Sequence, residues 1–124
     1  MDKLDEIFAL QSMLNRNIKE KRNIEGYGSE KWIEKFALAM YIEMGEMLEE
    51  TNYKWWKNEK EIDYEALKEE IVDVLHFFIS ICISSGMTAE ELFQRYMDKN
   101  KENILRQEGK SSKKGYAVSE QECK

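Results

Sequence analysis

Two pairs of acidic residues stand out because each pair falls among apolar residues. Glu43 and Glu46 lie three positions apart in YIEMGEMLEE, and Glu70 and Asp73 repeat this spacing in EEIVDVLHF. Side chains three residues apart share one face of an α-helix. A buried carboxylate without a partner is costly, and four such groups close together would repel one another. The two pairs therefore predict a site for a hard divalent cation such as Mg²⁺, which takes oxygen ligands and recruits substrate phosphates.

Two other interpretations of these acidic residues are open. The chain contains 25 acidic residues, so the same spacing could belong to exposed helix faces whose carboxylates pair with lysines. Asp73 and His76 are also three residues apart and could chelate a metal, as Glu-x-x-His motifs do in di-iron bundles. The sequence has one histidine, however, and no second motif of that kind. Because both acidic pairs lie on the apolar sides of successive helices, we favour a Mg²⁺ site.

Polar and aromatic residues elsewhere could bind a nucleobase. Gln11 and Asn15 are four residues apart on or beside the apolar stripe of the first predicted helix, and each amide offers a donor and an acceptor. Such a pair could read the edge of a base, although ordinary boundary residues would give the same pattern. In YKWWK, Trp55 and Trp56 stand between lysines, so that one ring could stack on a base. We expect one of the two to cover the open end of the helical bundle.

The region from Asp98 to Tyr116 has an excess of basic over acidic residues, although the whole chain has a net charge of −6. A solvated helix end would explain this excess, because cations suit the C-terminal end of a helix dipole. The functional interpretation is a phosphate clamp that becomes ordered when an anion binds. The overall acidity argues against a protein that binds nucleic-acid polymers, which would need a basic face.

Composition predicts one small domain made of long helices. The chain has 124 residues, of which 42% are hydrophobic and 35% charged, and it contains no proline. The N-terminal MDKLDEIF is too charged for a signal peptide, and the apolar run VLHFFISICI is too short to span a bilayer. Cys82 and Cys123 form no disulfide framework, and we interpret both as free thiols. We therefore expect a cytoplasmic protein without a membrane segment.

Hydrophobic periodicity and capping residues divide the chain into four helices. They are predicted at about residues 2–23, 30–50, 64–85 and 89–107, with Ser29 and Asp63 as N-caps, Thr88 and Glu91 as a capping box, and Gly86 as a stop. The predicted fold is all-α, a compact bundle of about four helices per chain. Since four helices leave a small core, we expect a homodimer. Residues 1–107 would form the domain, and residues 108–124 a polar tail that is ordered on substrate binding.

Taken in order, these motifs resemble those of the dimeric all-α dUTP diphosphatases, a family within the MazG-like nucleoside triphosphate pyrophosphatases. The resemblance covers nearly the whole chain. It rests on five stretches of sequence: LQSMLN (10–15), YIEMGE (41–46), KWWK (54–57), EEIVDVLHF (69–77) and KNKENILRQ (99–107). In one departure from the family pattern, EGKSSKK intervenes before Gly115 and Tyr116. In another, Gly86 and Thr88 directly connect helices between which longer members carry extra ones.

The resemblance implies a role for each motif. The metal ligands would be Glu43, Glu46, Glu70 and Asp73. The first two would also be catalytic, and Mn²⁺ could substitute for Mg²⁺. The uracil base would be bound by Gln11, Asn15, Trp56 and His76. The phosphates would be bound by Lys57, Lys99, Asn103, Arg106, Lys114 and Tyr116.

The reaction implied by the resemblance is Mg²⁺-dependent conversion of dUTP, and also of dUDP, to dUMP by attack of water on the α-phosphorus. One alternative is a MazG-like pyrophosphatase for another nucleotide, such as dCTP or a damaged nucleotide, because a smaller lid could relax base discrimination. A second alternative, from another functional class, is a non-catalytic helical dimerisation module whose acidic face binds a partner.

Overall fold

The computed structural model describes residues 1–118, which form four α-helices and no strand. The helices are α1 (Lys3–Lys21), α2 (Ser29–Glu49), α3 (Tyr64–Ser84) and α4 (Ala89–Gln107). The predicted all-α fold is therefore confirmed, and each helix begins and ends within about two residues of its predicted limits, the usual uncertainty of helix ends. The chain divides into two compact units, Met1–Thr88 and a second unit that begins at Ala89. Cys123 lies outside the described residues.

In the first unit, α3 packs against both α1 and α2. Its buried core contains Phe8 from α1 and Ile79 and Cys82 from α3. A row of aromatic rings joins α2 to α3. The Phe36 ring stacks on the Trp32 ring of the same helix, and its centre lies 6.4 Å from the centre of the Phe77 ring. Because α3 packs against both neighbouring helices, it sets the positions of α1 and α2 relative to each other.

The N-terminal ends of the helices show which capping predictions hold. Asp63 caps α3 as predicted, because its side chain accepts hydrogen bonds from two backbone amides of the first turn, both 3.1 Å long. The prediction for Ser29 is wrong, since Ser29 is the first residue of α2 and Gly28 is the N-cap. Gly28 has extended backbone angles, and its carbonyl accepts the amide of Trp32 at 3.1 Å. A glycine is tolerated at this position, although it offers no side-chain acceptor.

Two helices of the first unit end in the same backbone arrangement. After α1, Asn23 has φ 53°, and the amide of Ile24 donates to the carbonyl of Lys19 at 2.9 Å. After α3, Gly86 has φ 83°, and the amide of Met87 donates to the carbonyl of Cys82 at 3.0 Å. This is the Schellman motif, in which a left-handed residue closes the last turn. Gly86 is thus a stop signal as predicted, and in α1 the left-handed residue after the last turn is Asn23.

The connection between α2 and α3 is an ordered loop closed by Asn52. The side-chain amide of Asn52 donates to the carbonyl of Lys60 and accepts from its amide, both at 2.9 Å. Trp55 and Trp56 are 85% and 62% exposed and pack edge to face on each other at 5.5 Å. The expectation that one tryptophan covers the end of the bundle is therefore wrong, because the rings meet each other and remain open to solvent.

The second unit consists of α4 and the segment that follows it, described up to residue 118. Gly109 has φ 72°, and the amide of Lys110 donates to the carbonyl of Leu105, which closes α4. A Cβ at Gly109 would lie 2.8 Å from Cγ2 of Val118, so that only glycine allows the segment to pack this closely. The predicted division into a domain (1–107) and a tail (108–124) stays a prediction, and residues 119–124 lie outside the described part.

The apolar run predicted from the sequence lies in α3, whose most buried residues are Ile79 and Ser80. Within residues 1–118, no single helix is long and apolar enough to cross a membrane. Among the described helices, α3 and α4 meet such a criterion of length and composition when they are taken together as a bent pair.

Candidate active site

Three of the four predicted metal ligands meet between α2 and α3. One carboxylate oxygen each from Glu43, Glu46 and Glu70 can be chosen so that all three lie within 4.8 Å of one another. Glu43 and Glu70 are half-buried, whereas Glu46 is exposed. The fourth predicted ligand, Asp73, is exposed and lines a cavity together with Glu43. The three-residue spacing on each helix directs the carboxylates to this line of contact.

Within residues 1–118, the carboxylates of this cluster have no cationic side chain as a partner. Oε2 of Glu43 and Oε2 of Glu70 are buried without a hydrogen-bond partner among the described residues. Burial first, and then the neighbouring carboxylates of Glu46, Glu70 and Asp73, raise the pKa of Glu43 from 4.5 to about 7. No lysine or arginine in residues 1–118 forms an ion pair with these groups. An all-oxygen set with unpartnered buried atoms fits a hard divalent cation.

A cavity of about 470 Å³ adjoins the acidic cluster. Its polar lining includes Gln11, Asn15 and His76, in addition to the two carboxylates named above. Its apolar lining includes Trp32, Phe36 and Phe77. The rings of the first two stack at 5.4 Å. A volume of this size suits a small organic ligand held between apolar walls and a few polar groups.

The polar residues of the cavity belong to a chain of hydrogen bonds that joins α1 to α3. Nδ1 of His76 lies 2.5 Å from Oε1 of Gln11, and Nε2 of Gln11 donates to Oδ1 of Asn15 at 2.9 Å. Nδ2 of Asn15 then donates to Oγ of Ser80 at 3.1 Å, and Oγ of Ser80 donates to the carbonyl of His76 at 2.7 Å. Gln11 and Ser80 are buried, whereas the His76 side chain is open to solvent.

A comparison with known families bears on this combination of acidic cluster and amide-lined cavity. The sequence model of a family described as dUTPase matches residues 3–86. The chain belongs to this dUTPase family. The match includes α1, α2 and α3, with the acidic cluster and the hydrogen-bond chain, and it ends before α4.

Two phage proteins are similar to part of this member of the dUTPase family. A dCTP pyrophosphatase of Enterobacteria phage T4 is 38% identical over 68 residues, which cover 45% of this chain and 40% of the phage protein. A dCTP pyrophosphatase of Enterobacteria phage LZ5 is 46% identical over 46 residues, or 37% of this chain and 27% of that protein. The chain thus spans less than half the length of these relatives. No solved structure matches it with significance.

Two predicted ligand-binding residues of this dUTPase-family chain do not line the cavity. Trp56 and Lys57 lie in the connection between α2 and α3 and are exposed. The cavity instead uses Trp32 from α2 as an aromatic wall, with Nζ of Lys19 4.3 Å from the centre of the ring. Among the described residues, the group of candidate metal ligands consists of glutamates and does not include His76. The di-iron interpretation thus gains no support from the geometry.

The predicted phosphate-binding residues of the second unit lie on α4 and the following segment. Nε of Arg106 donates to Oε1 of Glu102 at 3.0 Å, and its guanidinium carbon lies 5.3 Å from the centre of the Tyr116 ring. A hydrogen bond from Ser111, and then the Arg106 contact, lower the pKa of Glu102. Tyr116 therefore lies beside Arg106, although EGKSSKK separates them in sequence. The other predicted members, Lys99, Asn103 and Lys114, are exposed.

Sequence reasoning missed Ser80 and Trp32. Ser80 follows His76 by four residues, so that the two lie on one face of α3, and this spacing is a usable signal for a shared network. Its contact with Asn15 depends on how α1 packs against α3, which spacing within one helix does not reveal. Trp32 lies four residues before Phe36 and was interpretable only as part of an apolar stripe.

Proposed function

We propose that this chain is a Mg²⁺-dependent pyrophosphohydrolase that cleaves a pyrimidine deoxynucleoside triphosphate into the monophosphate and pyrophosphate. The observation that carries the proposal is the acidic cluster, in which three glutamates approach within 4.8 Å and two buried oxygens have no partner among the described residues. Its position beside a cavity lined by Gln11 and Asn15 supports a substrate that has both a base and phosphates. Membership of the dUTPase family supports the same class of reaction.

The acidic residues would hold the metal and manage the proton of the attacking water. Glu43, Glu46, Glu70 and Asp73 would be the ligands, with Mn²⁺ as a substitute. When bound, the metal would neutralise developing negative charge and make a bound water more acidic. A carboxylate of Glu43 or Glu46 would accept the proton as the water attacks the α-phosphorus. The proton thus moves to a carboxylate oxygen, while the bond between the α-phosphorus and the bridging oxygen breaks.

Two bases are candidates for the substrate. The family resemblance favours dUTP, and with it dUDP, with base contacts from Gln11, Asn15, Trp56 and His76. The names of the two phage relatives favour dCTP. In both cases, amide groups that hydrogen-bond the correct base would be left unpaired by a wrong one, which is a strong source of discrimination. A damaged nucleotide is a further candidate.

The phosphates would be bound by the basic residues of α4 and the segment after it, together with Lys57. Arg106 supports this part of the proposal, because Glu102 engages only its Nε and Tyr116 lies against the guanidinium. The two terminal nitrogens of such an arginine can form a bidentate contact with a phosphate. Lys99, Asn103, Lys114 and Tyr116 would complete the contacts.

A homodimer is part of the proposal. Large apolar side chains are exposed on α1 and α3, including Leu10 at 57% and Val72 at 50%. Burying such surface against a second copy would add to a small core. Sedimentation analysis should then give twice the chain mass of 14.8 kDa. We further propose that the protein acts in the cytoplasm, where nucleotides are available.

The test is to incubate the purified protein with Mg²⁺ and each deoxynucleoside triphosphate separately, and to separate the products. We expect a pyrimidine monophosphate and pyrophosphate, with cleavage lost on chelation of the metal and in Glu43→Gln. Glu34→Gln is the matched control, because Glu34 is an exposed residue of the same helix. Cleavage of purine nucleotides alone would contradict the choice of substrate. Failure of the folded protein to cleave any nucleotide would favour the dimerisation module.

A further inference from the structure

The hydrogen-bond chain between α1 and α3 has a fixed direction, because it ends at a group that can only accept. The backbone carbonyl of His76 accepts from Ser80 and has no hydrogen to donate. The single hydroxyl hydrogen of Ser80 is therefore used, and its oxygen must accept from Asn15. Asn15 thus directs its NH₂ group toward Ser80.

The same reasoning continues to the other end of the chain. Asn15 has its oxygen toward Gln11, so Gln11 must donate from its NH₂ group. Oε1 of Gln11 then faces His76, and because a carbonyl oxygen only accepts, Nδ1 of His76 must carry a hydrogen. In a neutral imidazole with its hydrogen on Nδ1, Nε2 is an acceptor. Nε2 makes no hydrogen bond to the described residues.

The groups left for a ligand follow from this direction. Each amide nitrogen carries two hydrogens and uses one within the chain, so Gln11 and Asn15 each retain one donor. The order of the three residues along the chain is His76, Gln11, Asn15, and all three line the cavity of about 470 Å³. Gln11 and His76 also line a smaller cavity of about 290 Å³. In the order of the hydrogen-bond chain, the unused groups of His76, Gln11 and Asn15 are an acceptor, a donor and a donor.

We infer that this site selects a cytosine base over a uracil base, and that Ser80 is the positioning residue that sets the preference. The edge of cytosine presents a donor (the 4-amino group), an acceptor (N3) and an acceptor (O2), which complements the order acceptor, donor, donor. The edge of uracil presents acceptor, donor, acceptor, which would require the opposite polarity at two of the three positions. The inference rests on the proposed function and names the substrate as a deoxycytidine nucleotide.

Ser80 acts through its neighbours and not on the ligand. It is 1% exposed, and the residues that line the cavity do not include it. Without its hydroxyl, Asn15 and Gln11 could rotate their amides, and His76 could carry its hydrogen on Nε2 instead. The site would then also offer the polarity that uracil needs.

The first measurement compares kcat/KM of the unaltered protein for dCTP, for dUTP and for the triphosphate of the 2-pyrimidinone deoxynucleoside, which lacks the 4-amino group. We expect kcat/KM for dCTP to exceed that for each of the others by at least about tenfold. The N3–H of dUTP would face the unused donor of buried Gln11, and the analogue would lack the hydrogen bond from the 4-amino group to Nε2 of His76. Equal values for dCTP and the 2-pyrimidinone analogue, or a preference for dUTP, would overturn the inference. This comparison requires no variant.

The second measurement determines, for the Ser80→Ala variant, the value of kcat/KM for dCTP divided by the value for dUTP. We expect this ratio to fall by at least about tenfold, since the direction of the chain is no longer fixed. Ser85→Ala is the matched control, because the Ser85 hydroxyl also donates to a backbone carbonyl of α3, at 2.7 Å. Unlike Ser80, Ser85 does not belong to the hydrogen-bond chain that includes Asn15 and Gln11. A general loss of packing would lower both rates and leave their ratio unchanged. An unchanged ratio in folded Ser80→Ala would contradict the role of Ser80.

The outcomes distinguish this inference from the proposed function. Cleavage of dCTP and dUTP with equal efficiency would leave the pyrophosphohydrolase intact and remove the cytosine preference. Absence of any nucleotide cleavage would remove both. A preference for dCTP that Ser80→Ala reduces and Ser85→Ala retains is the result expected.

Discussion

Oε1 of Gln11 lies 2.5 Å from Nδ1 of His76, which joins two helices at residues 65 positions apart in sequence. Gln11 is 6% exposed, and both polar atoms of its amide form hydrogen bonds within the protein, Oε1 with His76 and Nε2 with Asn15. The amide therefore stabilises the contact of α1 with α3 in addition to lining the cavity. A residue with both functions gives effects on stability and on binding that can be measured separately.

Replacement of Gln11 by alanine should lower the free energy of unfolding by about 1–3 kcal/mol, because Asn15 and His76 each lose a partner near the buried interface. Urea unfolding followed by circular dichroism measures this change. Gln94→Ala is the matched control: Gln94 is exposed on α4, and its hydrogen-bond partner among the described residues is Glu90 of the same helix. Its substitution should change stability by less than about 0.5 kcal/mol. Equal losses in the two variants would contradict a structural role for the Gln11 network.

The helices were predictable from the sequence because each carries its own signals. Asp63 and Gly86 mark the ends of α3 through local hydrogen bonds and a left-handed backbone angle, neither of which depends on distant residues. The N-cap prediction for Ser29 was wrong because the neighbouring Gly28 has the extended backbone angles of the N-cap, and Ser29 is already helical. Local chemistry thus specified the helices, and errors arose where two adjacent residues competed for one role.

The site was only partly predictable, because its contacts join different helices. Glu43 and Glu46, like Glu70 and Asp73, could be recognised as pairs from spacing within one helix. That three of these carboxylates meet depends on how α2 packs against α3. The link from Asn15 to Ser80 likewise requires the packing of α1 on α3, and the position of Trp56 depends on a loop closed by Asn52. Spacing along one helix contains no information on these relations.

The raised pKa of Glu43 predicts how the stability of the metal-free protein depends on pH. The folded protein holds a proton on Glu43 up to about pH 7, whereas the ordinary value is 4.5. The folded state thus binds more protons than the unfolded chain between these values, so the free energy of unfolding should fall as pH rises through this range. Urea unfolding in the presence of a chelator, at several pH values across the range, measures the slope.

Glu43→Gln provides the decisive comparison for this pH dependence. Glutamine cannot ionise, so the variant should be more stable than the unaltered protein at pH values above the raised pKa and should lose most of the slope. Glu34→Gln should keep the slope, because Glu34 is an exposed residue paired with Lys31. If the free energy of unfolding depends on pH in the same way in the unaltered protein and in Glu43→Gln, the ionisation of Glu43 is not the cause of the destabilisation.

Binding of Mg²⁺ should reverse this destabilisation. A ligand that binds only the folded state raises the free energy of unfolding, by about 2.7 kcal/mol at a concentration one hundred times Kd. The midpoint of thermal unfolding rises as a result. We expect a rise with Mg²⁺ or Mn²⁺ in the unaltered protein and in Glu34→Gln. In Glu70→Gln the rise should be largely lost, since one of the three converging carboxylates is neutral. A metal-induced rise that survives in Glu70→Gln would place the cation elsewhere.

Arg106→Lys should weaken the proposed contact with a triphosphate substrate while leaving the fold intact. Nε of Arg106 is held by Glu102 and its guanidinium lies over Tyr116, which leaves two terminal nitrogens for a phosphate. A lysine ammonium cannot pair with Glu102 and form a bidentate phosphate contact at the same time. We expect kcat/KM to fall by about ten- to a hundredfold, mainly through KM, as for loss of a charge-assisted hydrogen bond. Steady-state kinetics over a range of substrate concentrations separates the two constants.

Arg95→Lys is the matched control for this substitution. Arg95 lies on the same helix, its side chain is 69% exposed, and it forms an ion pair of 3.6 Å with Glu91 four residues before it, as Arg106 does with Glu102. Because an exposed pair of this kind contributes little, the control should retain both the kinetics and the stability of the unaltered protein. Equal kinetics in the two variants would show that the charge at position 106 suffices and that the shape of the guanidinium does not matter. A fall confined to Arg106→Lys, with unchanged urea unfolding, would assign the loss to the phosphate contact.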